Sequence, residues 1–571
     1  MTNSYFTRIY KNIQTRWFWW IAFVSLNFLL FTPRIFVSKV SMLEEWQSRE
    51  SFFRYLSFLF RRRSDDIFHL SIELILILWL SSIFSWNNKV SKWTFGLTYL
   101  LFLVYMTYDA TFKKLYHFKP IIANDITLIK YGIEIIWSDT PWILLIGIFV
   151  FGLLVWVVLL VSRQVVEGFV NYQIQKTWSF RIISMLCVLS IYQLHLDPLL
   201  FKGKQHLPIE EGASFNVVTL SILRNISQSM SLQKKISQFD IDELENNNQK
   251  LDSLTLFEKP NIYLVFVESY GKVLYDHESL ARPYVKSLKK YDQRLNEANV
   301  VCVSRFSASP VSGGGSWLAY TSMLYGADLA TQGLYQKLVN DQSFQAVPNF
   351  LKWLQRQGYK SIFLSPQATS KRVPDYDTYG KFYGVDTWIK PSAFESYSGP
   401  KYGWGSIPPD QFLLHFTKEN FFSTGGSNVL FFLTKNSHSP FMSPSQAVLD
   451  WREIKESNEP DKTANFSDKP DPSDYLAAIN YELDYLTLFA GEMESDDVLI
   501  LIGDHQPPML TKPSNDNETM IHLLSKNVDF IQSFSKYGFT EGLECKESTD
   551  EFAHKDILWP LVTEISMTYG K

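Results

Sequence analysis

Glu268 closes the apolar run Ile-Tyr-Leu-Val-Phe-Val at 262–267, and Asp504 and His505 follow Val-Leu-Ile-Leu-Ile-Gly at 498–503. Between them, Ser316 follows Gly313-Gly314-Gly315. Carboxylate oxygens and an imidazole nitrogen together suit a single divalent cation. A hydroxyl beside such a cation is an activated nucleophile. The set points to phosphoryl or sulfuryl transfer rather than to a binding module. Each residue also has a structural alternative. Glu268 could cap the sheet end or pair with a base, and Ser316 could simply cap a helix over Trp317–Leu324.

Further candidates lie in loops. His438, in Asn436-Ser437-His438-Ser439-Pro440, follows an apolar run at 428–433 and could donate to a phosphate oxygen or protonate a leaving group. Trp404 and Asp410 sit in an aromatic, turn-rich stretch from Tyr402 onward, which could line a substrate pocket or pack as a surface loop.

To bring these residues together, the chain needs a sheet. Apolar runs at 261–267, 299–304, 360–364, 428–433 and 497–502 alternate with helical patterns such as Val347–Gln357 and Tyr475–Gly491. Runs apolar on both faces predict a mostly parallel sheet covered by helices, an α/β class. Reacting residues then gather beyond the carboxyl ends of the strands, where Glu268 and Asp504 fall. Gly503 is expected to let the backbone turn so that Asp504 and His505 face one site.

The first third of the chain differs. Apolar runs at about 17–37, 67–86, 93–112, 141–162 and 180–195 predict a bundle of about five membrane-spanning helices within residues 1–204. Trp17, Trp19 and Trp20 suit a membrane–water interface. Glu73 lies inside the second run, near one end, where its carboxylate is either functional or snorkels to the interface. Residues 205–258 read as a linker with an amphipathic helix at Phe215–Leu232, draped over a soluble domain at 259–571. A net charge of −4 from 54 basic and 58 acidic residues gives no sign of nucleic-acid binding. Of three cysteines, Cys187 sits in an apolar run, while Cys302 and Cys545 could pair if their domain lies outside the cytoplasm.

The soluble part resembles the sulfatase-like branch of the alkaline phosphatase superfamily. With the preceding spans, the chain is similar to the lipoteichoic acid synthase and phosphoglycerol transferase group of bacterial membrane enzymes. The motifs that carry this are Val267-Glu268-Ser269-Tyr270-Gly271, Gly313–Ala319, Ser437-His438-Ser439-Pro440 and Gly503-Asp504-His505-Gln506-Pro507. The resemblance implies one divalent ion, manganese first, with zinc or magnesium as alternatives, held by Glu268, Asp504, His505 and the nucleophile Ser316. It implies substrate contact through His438. It also implies transfer of a headgroup phosphate (phosphoglycerol or phosphoethanolamine) from a membrane phospholipid to an envelope glycan or lipid, on the extracytoplasmic side of the bacterial cytoplasmic membrane. A phosphodiesterase or sulfatase-like hydrolase and a non-catalytic membrane scaffold are the competing expectations.

Three features depart from the group's pattern. Ser316 stands where its best-known members have Thr. The glycine triplet and Trp317 differ. The phosphate-contacting Arg has no firm counterpart, with Lys371 or Arg372 the nearest candidates. Ser316 is followed by Trp-Leu-Ala-Tyr rather than the x-Pro-x-Arg that sulfatases use to convert their nucleophile, which speaks against sulfate ester hydrolysis. The base-rich first loop, Arg34 to Arg63, favours the cytoplasmic side and with five spans would put the C-terminus there too; the outward placement rests on the resemblance.

Overall fold

The computed structural model describes residues 16–37, 71–83, 89–116, 120–171, 181, 184–185, 218–365, 376–403, 407–457, 459–463, 471–507, 510 and 517–570. Arg372, Trp404, Cys187 and most of the run at 180–195 lie outside these residues. The chain forms two compact units, one of Met1–Leu115 with Lys119–Lys234 and one of Tyr116–Phe118 with Lys235–Lys571.

The first unit is helical: α1 (Arg16–Val37), α2 (Ile72–Ile83), α3 (Lys89–Tyr116), α4 (Ile122–Asp139), α5 (Pro141–Asn171) and α6 (Val218–Gln238). Among the described residues two stretches, Lys89–Lys113 and Pro141–Phe169, are long and apolar enough to cross a membrane. The apolar parts of α1 and α2, Trp19–Pro33 and Ile72–Ser81, are shorter than that. Of the five expected spans, two are thus seen among the described residues. Trp19, expected at an interface, is buried: it stacks on Phe23 and Phe169 and donates Nε1–H to the Val165 carbonyl at 2.7 Å. Glu73 accepts the Ser71 hydroxyl and the Thr219 backbone N–H, both at 2.8 Å. Its carboxylate thus satisfies an open N–H in the first turn of α6, the place where a negative group is favoured.

In the second unit eight strands form one sheet. They are β1 (Ile262–Val267), β2 (Val301–Ala308), β3 (Lys360–Leu364), β4 (Thr387–Ile389), β6 (Asn428–Leu433), β8 (Val498–Gly503), β9 (Glu518–Ser525) and β10 (Thr540–Glu541); β5 (Tyr402–Gly403) and β7 (Lys462–Thr463) pair separately. The order is β10-β2-β9-β8-β1-β6-β3-β4. The five strands from β8 to β4 run parallel, and β9, β2 and β10 pair antiparallel to their neighbours.

Every residue of β1, β6 and β8 is buried because both sheet faces are covered. One face packs Val265, Leu430 and Leu501 against α7 (Glu278–Glu297), α9 (Asp410–Phe421) and α10 (Pro472–Gly491). The other carries an aromatic layer in which Tyr320 of α8 (Ser316–Tyr325) meets Phe266 and Phe431 edge-on, and Phe431 stacks on Phe363 at 4.5 Å. Residues 240–258 are built into this unit. Asp240 caps a short helix, Asn248 donates to the Tyr325 and Pro348 carbonyls, and Leu251 is buried. Cys302 and Cys545 are buried free thiols.

Candidate metal and nucleophile site

The three central parallel strands end level with one another. Val267 stands beside Gly503, and Phe266 beside Leu433. The residues after these ends, Glu268, Asp504 and Thr434, therefore emerge side by side. One ligand atom each from Glu268, Asp504 and His505 lies within 4.8 Å of the others, all buried.

Hydrogen bonds aim each ligand. His505 donates Nδ1–H to the Gln506 carbonyl at 2.8 Å, leaving Nε2 directed at Glu268 Oε1 (3.5 Å), Asp504 Oδ2 (3.4 Å) and Ser316 Oγ (3.4 Å). Asp504 Oδ1 accepts the backbone N–H groups of Ser269 and His505, both at 2.7 Å, which leaves Oδ2 for a cation. Ser269 has a left-handed φ of 58°, a costly conformation for a residue with a Cβ. It is held there by Asp504 on its N–H and by the Tyr475 hydroxyl on its carbonyl.

Gly503 serves a purpose other than the expected turn. A Cβ there would lie 2.0 Å from the Tyr270 carbonyl oxygen, so close approach of the two strand ends demands glycine. The glycines before Ser316 are needed for conformation. Gly314 and Gly315 have φ of 73° and 80°, and Gly315 is the N-cap of α8. Ser316 is thus the first residue of the helix, where open N–H groups and the helix dipole favour an anion.

The electrostatics fit a cation seat. Burial, and then the neighbouring Glu268, push the Asp504 carboxyl up to about 6. For Glu268 burial acts upward, but His438, His505 and Lys435 outweigh it and hold the carboxyl below its usual range. His505 is held above its ordinary value because Asp504 and Glu268 outweigh the opposing effect of burial. Two carboxylates and a hydroxyl facing one imidazole nitrogen are a donor set for one divalent cation.

The loop after β6 completes the site. His438 donates Nδ1–H to the Ser439 carbonyl at 2.7 Å, which leaves Nε2 for other partners. Lys435 brings its ammonium to 4.0 Å from Glu268 Oε2, and Thr434 Oγ1 accepts the Glu268 N–H at 3.0 Å. Neither stood out in the sequence. The one signal was their place directly after an apolar strand. Asp410, expected at a substrate pocket, is fully buried. Its Oδ2 accepts the N–H groups of Lys435 and Asn436 at 2.6 Å, and its own N–H donates to Asn436 Oδ1 at 2.8 Å. It clamps the loop from behind. Trp404 and Arg372 fall outside the described residues.

A comparison with curated protein sequences gave no match. Among solved structures, the lipoteichoic acid synthase LtaP from Listeria monocytogenes shares 14% identity over 56% of this chain and 78% of its own, with a TM-score of 0.35. The periplasmic domain of EcEptC from Escherichia coli, in complex with Zn, shares 14% over 53% and 80%, with a TM-score of 0.33. The Streptococcus pyogenes phosphoglycerol transferase GacH, in complex with sn-glycerol-1-phosphate, shares 12% over 58% and 92%, with a TM-score of 0.34. The family model described as Sulfatase matches residues 260–531, a span that begins just before β1 and takes in Glu268, Ser316, His438, Asp504 and His505. Residues 260–531 are therefore a sulfatase-family domain, as the motifs at these positions led us to expect.

Proposed function

We propose that this chain is a membrane-bound, metal-dependent transferase. It moves the headgroup phosphate of a phospholipid, phosphoglycerol or phosphoethanolamine, to an envelope glycan or lipid through a covalent ester on Ser316. The observation that carries this is the placement of Ser316 Oγ at a helix N-terminus, 3.4 Å from the ligand nitrogen of His505. A nucleophile held among ligands and beside open N–H groups suits attack on phosphorus.

Glu268, Asp504, His505 and Ser316 would hold the ion, manganese by the resemblance, the mixed oxygen and nitrogen donors suiting manganese or zinc. When bound, such an ion lowers the cost of a serine alkoxide and of charge on phosphate oxygens. Ser316 Oγ forms the new bond to phosphorus as the diacylglycerol oxygen leaves. His438, whose Nε2 is left for other partners, and the Lys435 ammonium would meet the developing charge. An acceptor hydroxyl then takes the phosphate and Ser316 regains its proton. Helices α3 and α5, read here as spans of a multi-pass membrane unit, would anchor the chain in a bilayer. We take the catalytic domain to face the extracytoplasmic side, following the resemblance. Water in place of the acceptor would give a phosphodiesterase by the same first step.

The test is intact-mass analysis of the full chain after incubation with phosphatidylglycerol or phosphatidylethanolamine vesicles and manganese. A gain of one headgroup phosphate, absent in Ser316→Ala, is expected and names the donor. No adduct with either lipid while manganese is bound would overturn the covalent transferase.

A further inference from the structure

Helix α4 has an apolar face that nothing in its unit covers. Ile122, Ile126, Ile129, Ile133, Ile136 and Trp137 are all exposed, Ile126 and Trp137 by more than half. At 100° per residue these six fall within about 100° of the helix circumference. A polar residue at the edge of this face is satisfied. Asp125, fully buried, accepts the Ile121 N–H at 2.8 Å and the Tyr108 hydroxyl at 2.6 Å.

Helix α6 carries a matching stripe of Leu220, Leu223, Ile226 and Met230, also exposed. The two helices are locked together. Asn225 of α6, buried, donates to the Pro120 carbonyl at 2.8 Å and accepts the Ile122 N–H at 3.0 Å; Ser229 accepts the Ala123 N–H at 3.3 Å. These bonds use side chains of α6 to satisfy the first-turn N–H groups of α4.

Continuity identifies what covers these faces. Thr140 alone separates α4 from α5, and α5 exposes Trp142, Ile146, Phe149 and Leu153 on successive turns, with few of its residues buried. A helix exposed and apolar in this way sits in hydrocarbon. Trp137 and Trp142 flank the joint, where indoles mark the headgroup level. Helix α4 therefore starts from the membrane surface at its C-terminal end. It is not among the helices apolar enough to cross. A one-sided apolar helix in that position lies in the interface.

We propose that α4 and α6, clamped by Asn225, form a platform that lies on the bilayer with Ile126, Ile129, Ile133 and Leu223 in the boundary between headgroups and acyl chains. This rests on the membrane reading above. The test uses nitroxide labels on cysteines introduced one at a time into the full chain, with Cys187→Ser and the buried Cys302 and Cys545 left in place, in phosphatidylglycerol-containing liposomes. Ile129→Cys, Ile133→Cys and Leu223→Cys report the platform, Phe149→Cys reports the span, and Val528→Cys, exposed in the second unit, reports water. Relative to Val528→Cys, the three platform labels should collide several-fold more with oxygen than with a nickel chelate, at a shallower depth than Phe149→Cys. Platform labels that behave like Val528→Cys would put this face in water and overturn the platform. Labels shielded from both reagents would mean that protein, such as a second copy, covers the face, which also overturns it. If Phe149→Cys itself behaves as a water-exposed site, the membrane reading falls and the platform with it.

Discussion

Strand β8 and helix α5 are built from the same side chains in opposite surroundings. Val498, Leu499, Ile500, Leu501 and Ile502 are all fully buried, whereas Ile146, Ile148, Phe149, Val150 and Phe151 of α5 are each more than half exposed, Phe149 by 72%. Apolar composition alone is blind to this. In the strand it reports a protein interior, where neighbours are close-packed and a missing group leaves a hole. In the helix, on the membrane reading proposed above, it reports an apolar solvent that can flow into any gap. The practical difference is tolerance: the catalytic unit should resist small changes in volume, and the helical unit should absorb them.

Glycine substitutions give the sharpest contrast. Gly503→Ala forces a Cβ to 2.0 Å from the Tyr270 carbonyl at the root of the site. It should cost about 3 kcal/mol or more and abolish metal binding, read by thermal unfolding and by metal titration. Gly147→Ala and Gly152→Ala in α5 meet nothing within 4 Å and should be neutral, or stabilising by up to about 1 kcal/mol. Comparable losses at 503 and 147 would erase the distinction.

Leucine truncation comes next. Leu501→Ala, at a fully buried strand position, should cost about 2–5 kcal/mol. Leu153→Ala, half exposed on α5, should cost less than about 1 kcal/mol in a bilayer, because lipid tails refill the gap. Equal destabilisation of the two would mean that protein, not lipid, lies against α5.

The smallest effect, counted per pH unit and per histidine, is one of pH. His522 and His554 are buried in the catalytic unit, and burial pushes their imidazoles down to about 3 and about 4. Ser304 Oγ donates to the Gly542 carbonyl and so accepts from His522 Nδ1, while the Tyr270 hydroxyl is 2.9 Å from Nε2 and donates to it. This neutral tautomer has both nitrogens satisfied. The unfolded chain takes up protons near pH 6.5 that the folded unit refuses. Stability is therefore full above that value and falls as pH drops toward 4, by at most about 1.4 kcal/mol per pH unit for each histidine. Thiol labelling of the buried Cys302 and Cys545 reads this opening directly. Its rate should climb on acidification, less steeply in His522→Gln, and a flat rate between pH 6.5 and 4 would refute the assignment.

Much of this α/β fold was legible because β1 and β8 are unbroken apolar runs and β3 and β6 end in one. Strand β9 was not, since it carries Glu518, Thr519, His522 and Ser525. Thr519, His522 and Ser525 are buried among hydrogen-bond partners, which a sequence pattern shows only as polarity. Glu268, Ser316, Asp504 and His505 could be picked out because each directly follows a strand or a glycine turn. Lys435 could not. Its position at the site depends on β6 lying next to β1, a matter of sheet order that local sequence does not encode. Asp410 misled because a carboxylate after two prolines looks like an exposed loop residue, and its partners are backbone groups about 25 residues away. In the helical unit two of the five expected spans are seen among the described residues, and the run at 180–195 lies mostly outside them.

The strand ends that meet at the site are far apart along the chain: Ser269 and Asp504, directly bonded, are 235 residues apart. At ribosomal speeds of about 5–20 residues per second, the first carboxylate waits on the order of tens of seconds for the second. For most of that interval, once residue 316 is made, the nascent polypeptide holds Glu268 and Ser316 but not Asp504 or His505. On the proposed function, a chain that stalls or is cut ahead of β8 should be chemically silent rather than weakly active, and the late arrival of one central strand would act as a timer on the whole catalyst.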